Sequence, residues 1–147
     1  KDPPRLAKAA KIMNPLNLDL SKLEKRGGKI IHYSGWADQQ VNPLPAIDYY
    51  ERFSQKRGAE ATRAFYRLYM VPGMFHCSGG PGCGNVDWLA AVMAWVEKGQ
   101  APQDLIGAHV EKGQTTRTRP LCPYPEVARY KGSGSVDDAA NFTCAAP

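Results

Sequence analysis

Residues 64–71 read "AFYRLYMV", apolar or aromatic at nearly every position. A run so short and so continuous suits a strand covered on both faces, which is the situation of a strand in a parallel sheet. A parallel neighbour must be reached by a crossover, usually a helix. The residues that follow supply one: in "VDWLAAVMAWVEKGQAP" (86–102), Val86, Leu89, Met93 and Val96 recur at helical spacing, and Trp88, Val92 and Trp95 broaden the same apolar face. Asn85 precedes this segment, and Gly99 and Pro102 end it. The pattern also occurs once before. "KIIHYSG" (29–35) is a β-branched and aromatic run closed by glycine, and the segment after it carries Asn42 as N-cap, Pro43 in the first turn, apolar Ile47, Tyr50 and Phe53, and Gly58 as a stop. A short helix from Ser21, closed by Gly27 and Gly28, leads in. Strand, loop and helix repeated twice predict an α/β fold in which parallel strands alternate with helices.

In such a sheet, functional groups gather at the carboxyl ends of the strands. Asp38 follows the first strand by a few residues, and His76 follows the second within the loop "VPGMFHCSGGPGCG" (71–84). The two loops are therefore expected on one edge, where a carboxylate can fix the tautomer of an imidazole whose other nitrogen deprotonates a hydroxyl. The bland alternatives are an aspartate that caps its own turn and a histidine that is a satisfied polar group. Ser78 is a poor nucleophile, because it lies outside a G-x-S-x-G elbow and only two residues from His76 on one turn. "GGPGCG" lacks the Lys-Ser/Thr ending of a phosphate-binding loop. His32, His76 and His109 show no metal-ligand spacing.

The formal net charge of +5 comes entirely from residues 1–31, which hold eight Lys or Arg and three Asp or Glu. No basic, aromatic-interleaved stripe accompanies it, so the excess reads as solvated surface and not as a nucleic-acid site. No apolar run approaches the ~18–20 residues of a membrane span, and no signal peptide opens the chain. Because the sequence starts "KDPPRL" without methionine, a missing amino-terminal region carrying an export signal is expected. Four cysteines, Cys77, Cys83, Cys122 and Cys144, show no C-x-x-C spacing. An even number in a chain rich in proline and glycine points to a secreted or periplasmic compartment.

Taken together, "DLSKLEKRGGKIIHYSGWAD", "YRLYMVPGMFHCSGGPG", "WVEKGQAP", "RPLCPYPEVARYKGSGS" and "DDAANFTC" resemble, in order, the carboxyl-terminal blocks of the tannase/feruloyl esterase family, which also includes mono(2-hydroxyethyl) terephthalate hydrolases. The resemblance implies an α/β-hydrolase fold with a Ser-His-Asp triad, Asp38 as the acid and His76 as the base. It also implies a disulfide from Cys77 to a cysteine beside the nucleophilic serine, absent from this chain, and a tail disulfide between Cys122 and Cys144. Cys83 has no counterpart in the family pattern, and Cys77–Cys83 is the default pairing when the proper partner is missing. Nothing in residues 1–37 matches the nucleophile block. The expectation is thus the carboxyl-terminal part of one catalytic domain: a lead-in over about 1–28, βα units over 29–110, and an irregular, disulfide-tied tail over 111–147. The nucleophile, the lid with its calcium and the oxyanion-hole groups would lie elsewhere.

The substrate implied is an aromatic ester, feruloyl or galloyl, with no cofactor in this chain. The partners expected are the missing amino-terminal part, and self-association through the apolar edge of "AFYRLYMV". Two other classes compete. A binding or scaffold module would leave Asp38 and His76 facing solvent separately, and a small disulfide-stabilised extracellular module would pair all four cysteines internally.

Overall fold

The computed structural model describes residues 3–13 and 16–147. Helix α1 (Pro3–Met13) and helix α2 (Ser21–Lys25) precede strand β1 (Ile30–Gly35), helix α3 (Leu44–Arg57), helix α4 (Ala59–Arg63), strand β2 (Tyr66–Val71) and helix α5 (Trp88–Lys98). β1 and β2 pair in parallel, from Ile30 opposite Tyr66 to Gly35 opposite Val71. This is the parallel βα arrangement expected from the sequence. Alternation along β2 sorts its side chains onto two faces. Tyr66 and Leu68 pack with Tyr50 and Phe53 of α3, while Tyr69 and Val71 pack with Met74, Leu121 and Trp88 on the other side. Arg67, the one charged residue of the run, is buried without being stranded: its guanidinium lies over Trp95 and donates to Pro102 O and to Gln103 Oε1.

Two features of the helices go beyond what the sequence pattern specifies. The side chain of Asn42 does accept from Leu44 N (3.0 Å), but α5 is capped by Asp87, which accepts from Ala90 N, and not by Asn85. More consequentially, Leu89, Met93 and Val96 are exposed, and the buried anchor of α5 is Trp95. The helical spacing is real, but α5 lies against a sheet of two strands, and among the described residues nothing covers its second apolar flank.

The tail is not irregular. Strands β3 (Leu105–Glu111) and β4 (Gln114–Leu121) form an antiparallel hairpin, and β5 (Val127–Tyr130) pairs antiparallel with β6 (Phe142–Ala145). Pro120, Pro123 and Pro125 conceal this in the sequence, yet they fall at the end of a strand or between strands, where a missing N–H costs little. Cys122 and Cys144 are joined in a disulfide that ties the end of β4 to β6. The edge of "AFYRLYMV" is not open either: β1 covers one side, and a bridge from Tyr69 to Pro123, with Tyr124 N donating to Leu68 O (2.8 Å), covers the other. The open edge belongs to β1. Ile30 N and Trp36 N donate toward β2, so by alternation the N–H groups of Ile31 and Tyr33 point away from it.

Candidate active site

Asp38 sits three residues beyond β1, on a turn that its own carboxylate organises. Its Oδ1 accepts from Gln40 N (2.8 Å) and Val41 N (2.8 Å), the local capping habit of aspartate in a turn. That leaves Oδ2 free to face elsewhere. The side chain is only 7% exposed. The Val41 N–H above all, then His76 and the Gln40 N–H, hold the carboxyl below its ordinary range against the opposing effect of burial.

His76 reaches the same place from β2 through the glycine loop. Gly35, at the end of β1, permits the approach, because a Cβ there would lie 2.2 Å from Met74 O. Ala37 N donates to Met74 O (3.1 Å), which fastens the acid's loop to the base's loop. The next residue, Cys77, is in the left-handed region at φ 60, turning the chain sharply after the imidazole.

The result is a bond of 2.9 Å between His76 Nδ1 and Asp38 Oδ2. A carboxylate can only accept, so Nδ1 carries the proton and Nε2 of the neutral ring carries the lone pair. The His76 side chain is 37% exposed, and Nε2 makes no hydrogen bond among the described residues. The pair opens into a cleft of about 430 Å³, lined also by His32, Val41, Asn42, Pro45 and Met74. A carboxylate-oriented imidazole with a free outer nitrogen can remove a proton from a hydroxyl placed in that cleft. The arrangement is not that of two side chains facing solvent separately.

The remaining candidates fall away from this centre. Ser78 N donates to His76 O (2.7 Å), and the side chain lines a different cleft, on the Trp88 side of the loop. No bond joins the Ser78 hydroxyl to the imidazole among the described residues. Cys77 and Cys83 are free thiols, so the default Cys77–Cys83 pairing does not form, and neither does a fully paired four-cysteine module. Cys77 is exposed at the turn, whereas Cys83 is buried and directs its thiol to Arg117 O (3.7 Å). His32 donates to or accepts from Tyr66 OH (2.8 Å), and burial lowers its pKa. Among the described residues no three His, Cys, Asp or Glu side chains group to hold a metal ion.

Sequence reasoning missed two residues beside the site, His109 and Arg117. They face the glycine loop only because β3 and β4 pair in one register, and the signal for that hairpin, Lys112-Gly113 between alternating segments, went unread.

The family model for tannase and feruloyl esterase matches residues 2–145. The chain belongs to this family. Among its relatives is the mono(2-hydroxyethyl) terephthalate hydrolase of Piscinibacter sakaiensis, 49% identical over 132 residues, which takes in 88% of this chain and 22% of that protein. An esterase from Aspergillus oryzae superposes with a TM-score of 0.83 at 32% identity, over 96% of this chain and 33% of its own. Feruloyl esterase B from the same organism gives 0.79 at 30% identity, over 88% of this chain and 29% of its own. The chain thus spans a third or less of the relatives named here.

Proposed function

We propose that this chain supplies the acid and the base of a serine carboxylic ester hydrolase that cleaves esters of aromatic acids. The observation that carries the reading is the 2.9 Å bond from His76 to Asp38, with Nε2 left free. His76 Nε2 takes the proton of a serine hydroxyl as that oxygen attacks the ester carbonyl, then delivers it to the departing alcohol. In the second half it takes a proton from water as the water oxygen attacks the acyl-enzyme carbonyl, and gives that proton to the departing serine oxygen as the acid is released. Asp38 holds the ring in the Nδ1–H tautomer and stabilises the imidazolium formed between these steps.

The serine lies outside this chain, which forms the carboxyl-terminal part of an α/β-hydrolase catalytic domain; the oxyanion-hole donors and the calcium-bearing lid are also outside it. Exposed Cys77, adjacent to His76, is the group that would bond a cysteine beside that serine. The aromatic acid preference rests on relatives named for feruloyl and terephthalate esters. The Cys122–Cys144 disulfide supports a secreted or periplasmic enzyme. Among the described residues no helix is long and apolar enough to cross a membrane.

The test is hydrolysis of methyl ferulate by the protein at its natural length. His76→Ala is expected to lose activity on the order of 10⁶-fold, the scale on which a triad fails when its base is lost. Turnover within about tenfold of the unsubstituted protein would show that the base is another residue.

A further inference from the structure

The glycine loop that carries His76 is anchored by buried Met74 before the imidazole and by buried Cys83 at its far end, with few bonds of its own between them. It returns on itself through Phe75 N to Gly79 O (3.2 Å) and Gly82 N to Gly73 O (3.1 Å), and a loop so rich in glycine loses much entropy when fixed. Its returning limb is held from outside by the β3–β4 hairpin. His109 and Arg117 are directly opposite one another in that ladder, so both side chains stand on the same face. They face consecutive carbonyls: Arg117 Nη2 donates to Pro81 O, and His109 Nδ1 lies 3.2 Å from Gly82 O while its Nε2 lies 3.1 Å from Glu111 Oε1, two acceptors that only the protonated ring can serve together. Among the described residues they are the only side chains that donate to backbone carbonyls of residues 72–85. Two further contacts seat the hairpin. Asn85 and Ala108 exchange backbone bonds (3.1 and 3.0 Å), and Gly107 lets the backbones touch, since a Cβ there would lie 2.1 Å from Cys83 O.

We infer that His109 and Arg117 are positioning residues for His76. The path is short and made of hydrogen bonds. Pro81 and Gly82 are fixed by the two side chains, Gly82 N holds Gly73 O, and Met74 O holds Ala37 N beside Asp38. Neither residue reaches the cleft that holds the acid and base. Their effect is on where the imidazole stands, and a small misplacement of a catalytic group costs up to ~10²-fold in rate. The inference rests on the functional reading given above, but one of its readouts does not.

The experiment compares Arg117→Met with His109→Leu, singly and combined, and with the donor-retaining Arg117→Lys and His109→Asn, all in the protein at its natural length. Two quantities are read: kcat and KM on methyl ferulate, and the low-field proton resonance of His76 Nδ1–H. In the combined Met/Leu variant kcat is expected to fall about 10- to 100-fold with KM within about twofold, and the low-field resonance to broaden or vanish. Arg117→Lys and His109→Asn should recover most of both. If the combined variant does not fold, the single variants are read in the same way, each lacking one bond. Unchanged kcat and an intact resonance would overturn the inference, as would a rise in KM alone. A loss that the donor-retaining variants do not rescue would also overturn it, reducing the pair to general packing. Absence of hydrolysis by the unsubstituted protein would sink the functional reading instead, and the resonance would still decide the positioning.

Discussion

At the scale of single residues, Asp38 combines two functions that a sequence presents as alternatives. The reading of an aspartate after a strand as a turn cap is correct for Oδ1, and the reading of it as a histidine's partner is correct for Oδ2. The two support each other, because the amides that fix Oδ1 also fix the direction in which Oδ2 points. The same bonds favour the charged form. Asp38→Asn keeps the shape but can present an N–H to Nδ1, which imposes the wrong tautomer, so kcat on an aryl ester is expected to drop on the order of 10⁴-fold with the fold retained. A pH effect follows with a definite sign. A carboxyl whose folded pKa lies below its ordinary value of 3.8 stabilises the fold fully above that value, and the contribution is lost as pH falls through the depressed one. Urea midpoints for the unsubstituted protein and for Asp38→Asn should therefore differ by a constant amount above pH ~4 and converge in stronger acid. A difference that persists undiminished well below pH ~3 would show that the Asp38 carboxylate is not the group responsible.

At the scale of elements, legibility followed the kind of interaction that makes each one. The βα units declared themselves because burial on both faces of β2 demands an unbroken apolar run, and because α3 and α5 carry their own stops. Asp38 and His76 were legible for the same reason: each follows a parallel strand by a short loop, and parallel strands end on one edge. The β3–β4 and β5–β6 pairs were not. Strand β4, "QTTRTRPL", is polar and half exposed, and the order of these strands comes from register and from neighbours distant in the chain, which no local pattern reports. The exposure of the α5 stripe was not legible, because periodicity shows that a face is apolar without showing what covers it. The tail does depend on its cross-link. The bond between Cys122 and Cys144 spans 22 positions, and chain-entropy estimates put closure of such a loop at ~3 kcal/mol. Cys144→Ser should lower the melting temperature by about 6–12 °C, given ~2–4 °C per kcal/mol for a chain of this size, and should loosen β6 from the end of β4 first. An unchanged melting curve, or peptide mapping that finds Cys122 bonded elsewhere, would remove the disulfide from this role.

At the scale of the whole molecule, the described chain has apolar and hydrogen-bonding surface with nothing against it. Ile31 and Tyr33 turn unpaired N–H groups from the outer edge of β1, and Leu89, Met93 and Val96 leave one flank of α5 uncovered. An unpaired edge of a parallel pair is a template for another strand, and here it runs alongside the acid's loop. We expect the 147-residue chain by itself to associate through this edge and to leave esters intact. The chemical reason is separate from the structural one. A triad works when a serine oxygen bonds the imidazole and preorganised N–H groups meet the developing oxyanion; Ser34 lines the cleft before His76, but among the described residues no serine hydroxyl bonds the ring. Ser78 does not fill the gap, since it opens to the cleft on the Trp88 side. The measurement is an assay of the purified chain on methyl ferulate, with Ser78→Ala as a control, beside the same assay on the protein extended upstream to the length of its relatives. The expected outcome is hydrolysis only by the longer protein, indifferent to Ser78→Ala and abolished by His76→Ala. Turnover by the 147-residue chain that disappears in Ser78→Ala would overturn the assignment, because it would place the nucleophile on the glycine loop and the working cleft on its other side.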